Sequence, residues 1–138
     1  MVCIYCGNKT KVSNSRTSKN SHSTWRRREC SNCHSIFTTR EHVDLSAALR
    51  VKNSKNDLQP FSRDKLLISV HESLSHRKTP LRDASELTDT IITKFSKLHV
   101  NGVLETRTIT AVTLQALERF DNAASVHYRA HHSKWIVN

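Results

Sequence analysis

Four cysteines lie within the first 33 residues of this 138-residue chain, arranged as two C-x-x-C pairs. The first pair is Cys3 with Cys6 in "CIYC", and the second is Cys30 with Cys33 in "CSNC". Two thiolates from each of two tight turns complete a tetrahedral site of the structural zinc type. The same pattern is compatible with disulfides, a thioredoxin-like redox motif, or iron in place of zinc. We predict that the four cysteines bind one zinc ion per chain.

The 23 residues between the two pairs are polar and rich in serine and asparagine. Only Val12 and Trp25 offer much to bury, so a bound metal, rather than a hydrophobic core, must hold this part together. Such a unit is a zinc ribbon of short hairpins. The neighbouring His22, His34 and His42 could ligate in principle, but four thiolates already fill the coordination shell. Trp25 either covers the metal knuckle or stacks on a base.

Three consecutive arginines, Arg26 to Arg28, stand just before the second cysteine pair in "TWRRREC". On an extended strand Arg26 and Arg28 point to one face and Arg27 to the other, so neither face is cheap to bury. Residues 1–44 carry eight lysines and arginines against three acidic residues, more than a thiolate site needs for charge balance. We predict that Arg26, Arg27 and Arg28 contact a nucleic acid, at phosphates or guanine edges.

The whole chain has a formal net charge of +10 and a pI near 9.9, which favours phosphate polyanions without naming one. No apolar run approaches the roughly 20 residues that cross a bilayer, and the N-terminus lacks a secretory signal. We therefore expect no membrane partner and a cytoplasmic location. Thiols stay reduced in that compartment, which favours metal over disulfides.

The pattern changes after Asp44 to that of a mostly helical unit. Residues 50–52 read as a short strand, "NSKND" as a turn without glycine, and Ser62 as the N-cap of a first helix that ends before Pro80. Apolar residues at helical spacing then define three stripes that we interpret as core. The stripes are Leu66, Leu67, Val70 and Leu74; Leu87, Ile91, Phe95 and Leu98; and Ile109, Val112, Ala116, Leu117 and Phe120.

Further start and stop signals divide this helical region. Asp83 with Glu86 resembles a capping box for the second helix, and Asn101-Gly102 interrupts the chain. Asp121 can cap a short fourth helix. The sequence thus predicts a small helical bundle that begins with a strand.

The order of these parts resembles the NrdR family of bacterial transcriptional repressors. The likeness covers nearly the whole chain and is carried by "CIYC…SNSR…RRREC-SNC-HSIFTTRE" followed by "RVKNSKNDLQPFSRDKL". It implies an α+β chain: a DNA-binding zinc ribbon over residues 1–44, a linker over 45–49, and a mostly α-helical ATP-cone domain with a short β segment at its start over 50–138. The family represses ribonucleotide reductase genes, binding promoter DNA through the ribbon while the cone senses ATP and dATP.

The resemblance also implies roles for individual residues. The four cysteines are the zinc ligands, Arg26 to Arg28 contact double-stranded promoter DNA, and Val51, Lys52 and Lys65 fall on nucleotide-binding positions for ATP or dATP. A ribbon of about 40 residues presents little surface for selective binding alone, so we expect a homo-oligomer that sets several ribbons along the duplex, in association with the nucleoid. The turn after Lys52 lacks the family's common glycine, and "ASVHYRAHHSKW" only loosely matches its C-terminal helix.

Two other functions are compatible with the residues. One is a zinc-ribbon module that acts on RNA or on the transcription machinery without nucleotide regulation. The other is a metal-dependent nuclease using His71, His127, His131 and His132. Those histidines lack paired acidic ligands at convincing spacing, so we expect no enzymatic activity.

Overall fold

The computed structural model describes residues 1–18 and 23–135, and it divides the chain into two compact units, Met1–Val43 and the chain from Asp44 onward. The first unit is strand-rich and the second is mostly helical with a small sheet. The predicted α+β class is confirmed. His22, weighed above as a ligand, lies outside the described residues.

The first unit is a three-stranded antiparallel sheet in the order β1-β2-β3. Its strands are β1 (Thr10–Ser18), β2 (Ser23–Cys30) and β3 (Ile36–His42). β1 carries a bulge between Val12 and Asn14. Beyond it, each residue of β2 again faces one partner on either side.

This ribbon sheet has almost no interior. Among its described residues only Cys3 and Cys30 are buried, at 3% and 0% exposure. Both are predicted metal ligands. Apolar burial is the dominant favourable term in folding. A unit whose only buried side chains are thiols therefore depends for its stability on the metal that those thiols bind.

The second unit packs helices around a short sheet of order β5-β4-β6, in which β4 pairs antiparallel with β5 and parallel with β6. Its elements in chain order are α1 (Leu45–Ala48), β4 (Arg50–Lys52), β5 (Leu58–Pro60), α2 (Arg63–Ser73), α3 (Pro80–Phe95), β6 (Val103–Glu105), α4 (Thr106–Phe120) and α5 (Asn122–His131), followed by a 3-10 turn at Ser133–Trp135. A single cluster of apolar residues from these elements forms the core. Phe61 and Phe95 meet edge to face at its centre, with ring centroids 5.2 Å apart.

Two of the predicted helix starts are confirmed. The Ser62 hydroxyl accepts the Lys65 backbone N–H at 3.3 Å, and the Asp121 carboxylate accepts the Ala124 N–H at 3.1 Å. The capping box at Asp83 is wrong. The helix begins three residues earlier, at Pro80, because proline is pre-organised for the first helical position and lacks the N–H that would be left unpaired there.

Three further segments differ from expectation: the expected linker, the ends of two apolar stripes, and a short strand. Residues 45–49, expected as a linker, contain α1 and the buried Leu49, because the Asp44 carboxylate caps a helical turn there. Leu98 lies beyond the end of α3 and is exposed, and Phe120 is also exposed, with the Arg77 guanidinium 4.8 Å above its ring. The strand β6 was not predicted.

Asp121 is both the N-cap of α5 and a member of an ion-pair cluster. Its carboxylate also accepts hydrogen bonds from Arg77 and His76, each at 3.0 Å. The Ala124 N–H, followed by Arg77 and His76, lowers the pKa of Asp121 to about 2. We expect Asp121→Ala to lower the free energy of unfolding of the helical unit by about 2 kcal/mol, since it removes an N-cap and charge-assisted hydrogen bonds.

The measurement is denaturant unfolding followed by helical circular dichroism near neutral pH. Because the pKa is lower in the folded state than in the unfolded chain, this charge contribution is present above about pH 4 and is lost as the pH falls toward 2. Glu86→Ala is the control, since its ion pair with Arg82 is exposed and worth only about 0.3–0.5 kcal/mol. Equal losses for the two variants would contradict the role of Asp121.

Candidate metal centre and binding surfaces

The two cysteine pairs converge on one point of the ribbon sheet. All four sulfur atoms lie within 4.8 Å of one another, with 3.7 Å between the sulfurs of Cys3 and Cys33 and 3.5 Å between those of Cys6 and Cys30. A tetrahedral zinc ion with bonds of about 2.3 Å needs sulfurs about 3.8 Å apart. A disulfide needs about 2.05 Å, so the cysteines are free thiols in a metal-sized arrangement. The site can hold one zinc ion.

Each cysteine pair is carried by a turn that bends after its second cysteine. Gly7 and His34 take positive φ angles of 72° and 56° at these two points. In the first turn the Tyr5 N–H donates to the Cys3 sulfur, and in the second the Asn32 N–H donates to the Cys30 sulfur, each at 3.4 Å. Amide groups directed at sulfur stabilise thiolates and fix the ligands in place. His34 therefore shapes the turn and is not among the four clustered ligands.

The thiols do not share one environment. The Asn8 side-chain amide lowers the pKa of Cys6 to about 6, and the Ser35 hydroxyl lowers that of Cys33. The pKa of Cys30 is raised to about 11 although the N–H groups of Cys33 and Asn32 favour its thiolate, because Cys30 is buried beside a sulfur that ionises first. A coordinated divalent ion deprotonates all of its thiol ligands, because its positive charge offsets the repulsion between neighbouring thiolates.

The three predicted DNA-contacting arginines differ in their surroundings. The Arg26 guanidinium pairs with Glu41 at 3.0 Å, and the Arg28 Nε donates to the Thr39 hydroxyl at 3.2 Å. Both side chains are half-buried. Arg27 is exposed, and its guanidinium makes no ion pair or hydrogen bond with any residue that the structure describes. Of the three, only Arg27 is thus free to meet a phosphate or a base without breaking a contact.

A pocket of about 340 Å³ lies in the helical unit at the start of α4. Three cationic side chains, Lys52, Arg107 and Lys134, line it together with Glu105 and Thr106. The parallel pairing of β4 with β6 places Lys52 opposite Glu105, and the Thr106 hydroxyl donates to the Lys52 carbonyl at 3.1 Å. Among the described residues, no side chain caps the first N–H groups of α4, which leaves that end of the helix attractive to an anion.

The other two predicted nucleotide-binding residues do not line this pocket. Val51 is half-buried and packs against the helical core, and Lys65 is exposed in the first turn of α2. Conversely, Arg107 and Lys134 line the pocket but were not predicted from the sequence. Neither stands in a recognisable spacing pattern, and only the long-range pairing of β4 with β6 brings Arg107 to Lys52.

The turn after Lys52 forms without glycine. Asn56 takes the left-handed conformation with a φ of 65°, which asparagine tolerates better than most residues. The Asn53 side-chain oxygen accepts the N–H groups of Lys55 and Asp57 at 2.8 and 2.9 Å. These bonds fix the loop that forms one wall of the pocket, since Asn53 and Asn56 both line it.

The four histidines considered for a nuclease form no ligand cluster in the described part of the chain. The rings of His127 and His131 stack on the exposed side of α5, with centroids 4.4 Å apart, and His132 bonds to the Ser69 hydroxyl at 2.8 Å. Within residues 1–18 and 23–135, the four cysteines are the only group of three or more potential ligand side chains placed to hold a metal. None of the helices in that part of the chain combines the length and apolar character needed to cross a bilayer.

These features define a class: a zinc-ribbon protein with a helical second unit that carries an anion-attracting pocket. Residues 1–41 match the family described as "Transcriptional repressor NrdR-like, N-terminal domain". The chain belongs to the NrdR family of transcriptional repressors. This family is non-enzymatic, and its members regulate transcription.

Three similar proteins illustrate the relationship, each named "Transcriptional repressor NrdR". The protein of Methylacidiphilum infernorum is 32% identical over 144 residues, covering 100% of this chain and 86% of its own. That of Agrobacterium fabrum is 36% identical over 132 residues, covering 93% and 80%. That of Symbiobacterium thermophilum is 30% identical over 128 residues, covering 93% and 84%. The similarity therefore extends through the helical unit as well as the ribbon.

Proposed function

We propose that this chain is a zinc-dependent repressor of ribonucleotide reductase genes whose binding to promoter DNA is controlled by ATP or dATP. In this role it acts in the bacterial cytoplasm, on the nucleoid. The observation that supports control by a nucleotide is the pocket at the start of α4, which is lined by Lys52, Arg107 and Lys134.

The charge of this pocket supports a nucleotide as its ligand. Three cations surround it against one carboxylate, and that carboxylate, on Glu105, is already bonded to Arg107. The excess charge and the open end of α4 both favour a polyphosphate. Its volume of about 340 Å³ falls within the usual range of about 300–1,000 Å³ for ligand pockets. Lys52 is the predicted nucleotide residue that this arrangement supports best, while Val51 holds β4 against the core.

The ribbon supplies the DNA-binding part of the proposal. Zinc bound by the four cysteines orders β1 to β3, and β2 presents the three-arginine segment Arg26 to Arg28. The repressor names of the similar proteins support DNA as the partner. One ribbon offers little contact area, so several copies act together, and the helical units assemble the homo-oligomer.

Nucleotide and DNA are linked through this assembly. If ATP and dATP favour different arrangements of the helical units, they set different spacings of the ribbons along the duplex. Linkage then requires that promoter DNA change nucleotide affinity by the same factor by which the nucleotide changes DNA affinity.

Native mass measurement with and without ATP and dATP, paired with promoter-DNA affinity under the same three conditions, tests this proposal. We expect one zinc ion per chain, nucleotide bound to the helical unit, and both oligomer size and DNA affinity that differ between ATP and dATP. A single mass and a single DNA affinity under all three conditions would reject the coupled mechanism. With no adenine nucleotide bound, the competing function stands: a zinc-ribbon module acting on RNA or the transcription machinery.

A further inference from the structure

The register of the ribbon sheet sorts its basic residues onto two different faces. Residues directly paired across antiparallel strands share a face, and successive residues of one strand alternate between faces. Trp25 pairs with Arg16 on one side and Arg40 on the other, and Arg27 lies two residues along the same face of β2. We call the face that carries these residues the cationic face. Its other members are Asn14 and Thr38, opposite Arg27, and Lys11, Glu29 and Ile36, one further pairing along. The opposite face, which carries Arg26 and Arg28, we call the knuckle face.

The knuckle face is engaged with the rest of the ribbon. Cys30 belongs to it by alternation along β2, and the ring of Tyr5, from the first cysteine turn, meets Phe37 edge to face with centroids 6.5 Å apart. Its two arginines bond to Glu41 and Thr39, as described above. The charge of Arg26 is therefore paired within the sheet, and the Arg28 guanidinium is held by a hydroxyl that fixes its direction without balancing its charge.

The cationic face is open. Arg16, Arg27 and Arg40 are exposed, and none has an ion pair or a side-chain hydrogen bond within residues 1–18 and 23–135. The carboxylate of Glu29 shares this face but pairs with Lys11 at 3.5 Å. The charge of the three arginines is thus not balanced by the sheet.

The layout of these three arginines matches duplex DNA. Arg16 and Arg40 stand on the two outer strands, about 10 Å apart at the backbone given strand spacings of about 4.8 Å. The major groove is about 12 Å wide between its phosphate walls. Two outer cations therefore fit the phosphates on either side, while the central strand directs Arg27 and the half-buried Trp25 toward the groove.

We propose that the ribbon binds duplex DNA with the cationic face, with Arg16 and Arg40 on phosphates and Arg27 at the base edges. Arg26 and Arg28 are then positioning residues that hold the sheet together. This inference rests on the proposed function, since it names the surface through which that function contacts DNA. Charge complementarity to the phosphate backbone carries it, and Arg16 and Arg40 are contacts that the arginine run alone did not indicate.

Two adjacent residues of equal charge provide the test, because Arg27 and Arg28 lie on opposite faces. The dependence of log affinity on log salt is measured by anisotropy for random-sequence duplex DNA, using the full zinc-loaded chain and the variants Arg27→Gln and Arg28→Gln. Each lost phosphate contact lowers this slope by about 0.9. We expect a drop of about two for the double variant Arg16→Gln/Arg40→Gln and no drop for Arg28→Gln.

Arg27→Gln is compared on promoter and random duplexes, where we expect a larger loss on the promoter if Arg27 reads bases. If Arg28→Gln destabilises the sheet, the fraction of active protein falls but the salt dependence of the affinity does not change. Misfolding is therefore distinguishable from a lost phosphate contact. Zinc content measures the misfolded fraction separately.

Four results overturn the inference, and they separate it from the proposed function. If the wild-type chain binds DNA but the Arg16→Gln/Arg40→Gln variant leaves the slope unchanged, or Arg28→Gln lowers it by about 0.9, the cationic face alone is rejected. If Arg27→Gln and Arg16→Gln/Arg40→Gln weaken binding to single-stranded RNA more than binding to duplex DNA, the cationic face binds RNA. A wild-type chain that binds no duplex in any nucleotide condition rejects the proposed function together with its surface.

Discussion

Replacing Cys30 with serine is expected to release the zinc ion and to unfold the first unit while the helices remain. Cys30 is fully buried, and apart from Cys3 no other described residue of residues 1–43 is buried. Removing one thiolate opens the tetrahedral site, and structural zinc sites contribute about 10–16 kcal/mol to folding in small metal-dependent peptides. No apolar core is present in the described ribbon to offset that loss.

Three measurements check this prediction on the full chain: zinc per chain, protease resistance of the ribbon, and helical circular dichroism. The zinc should be absent, the ribbon should become digestible, and the helical signal should be unchanged, since the core cluster lies entirely in the second unit. Asn32→Ser is the matched control, because Asn32 lies between the same two cysteines and uses only its backbone N–H toward sulfur. Full zinc content in Cys30→Ser, or loss of the helical signal, would contradict the prediction.

The second large effect is expected for Lys52→Ala, which should weaken nucleotide binding about tenfold to hundredfold. A charge-assisted hydrogen bond to phosphate contributes about 1.5–3 kcal/mol, and each 1.4 kcal/mol is a factor of ten. The variant should also abolish nucleotide-dependent changes in oligomer size while leaving zinc content unchanged. Calorimetric titration with ATP and dATP, together with light scattering, provides the readout.

Lys55→Ala is the control for this experiment. Lys55 carries the same charge in the same loop but does not line the pocket, so it reports the general electrostatic contribution alone. Arg107→Ala should behave like Lys52→Ala, although Arg107 is also bonded to Glu105. If Lys55→Ala and Lys52→Ala weaken binding equally, the nucleotide does not occupy this pocket; if Lys65→Ala alone weakens it, the site lies along α2.

Local sequence signals predicted much of this fold. Ser62 and Asp121 cap their helices by accepting hydrogen bonds from backbone N–H groups three residues along the chain, and such bonds depend only on neighbouring residues. The metal site was equally predictable from the two cysteine pairs, because four thiols in two tight turns have few ways to pair other than around one ion. The alternation of side chains along β2 also predicted that Arg27 lies on the opposite face of the sheet from Arg26 and Arg28.

The features that the sequence did not reveal depend on distant partners. β6 is only three residues long and is fixed by pairing with β4, about fifty residues earlier, so it has no periodicity of its own. Lys134 reaches the pocket through the packing of the C-terminal region. Phe120 fits the apolar stripe of α4 but lies exposed beneath Arg77, a placement set by the ion-pair cluster around Asp121.

The nearly coreless ribbon has an evolutionary consequence. Most substitutions that damage proteins do so by disturbing a packed interior, and surface substitutions usually change stability by less than about 0.5 kcal/mol. In the ribbon nearly every described side chain apart from two ligands is at least partly exposed. Residues of the cationic face can therefore mutate with little loss of stability as long as the four cysteines persist. With the proposed binding mode, a lineage can alter its operator through Arg27 and its DNA affinity through Arg16 or Arg40, while the packed core holds the helical unit to a much narrower range of change.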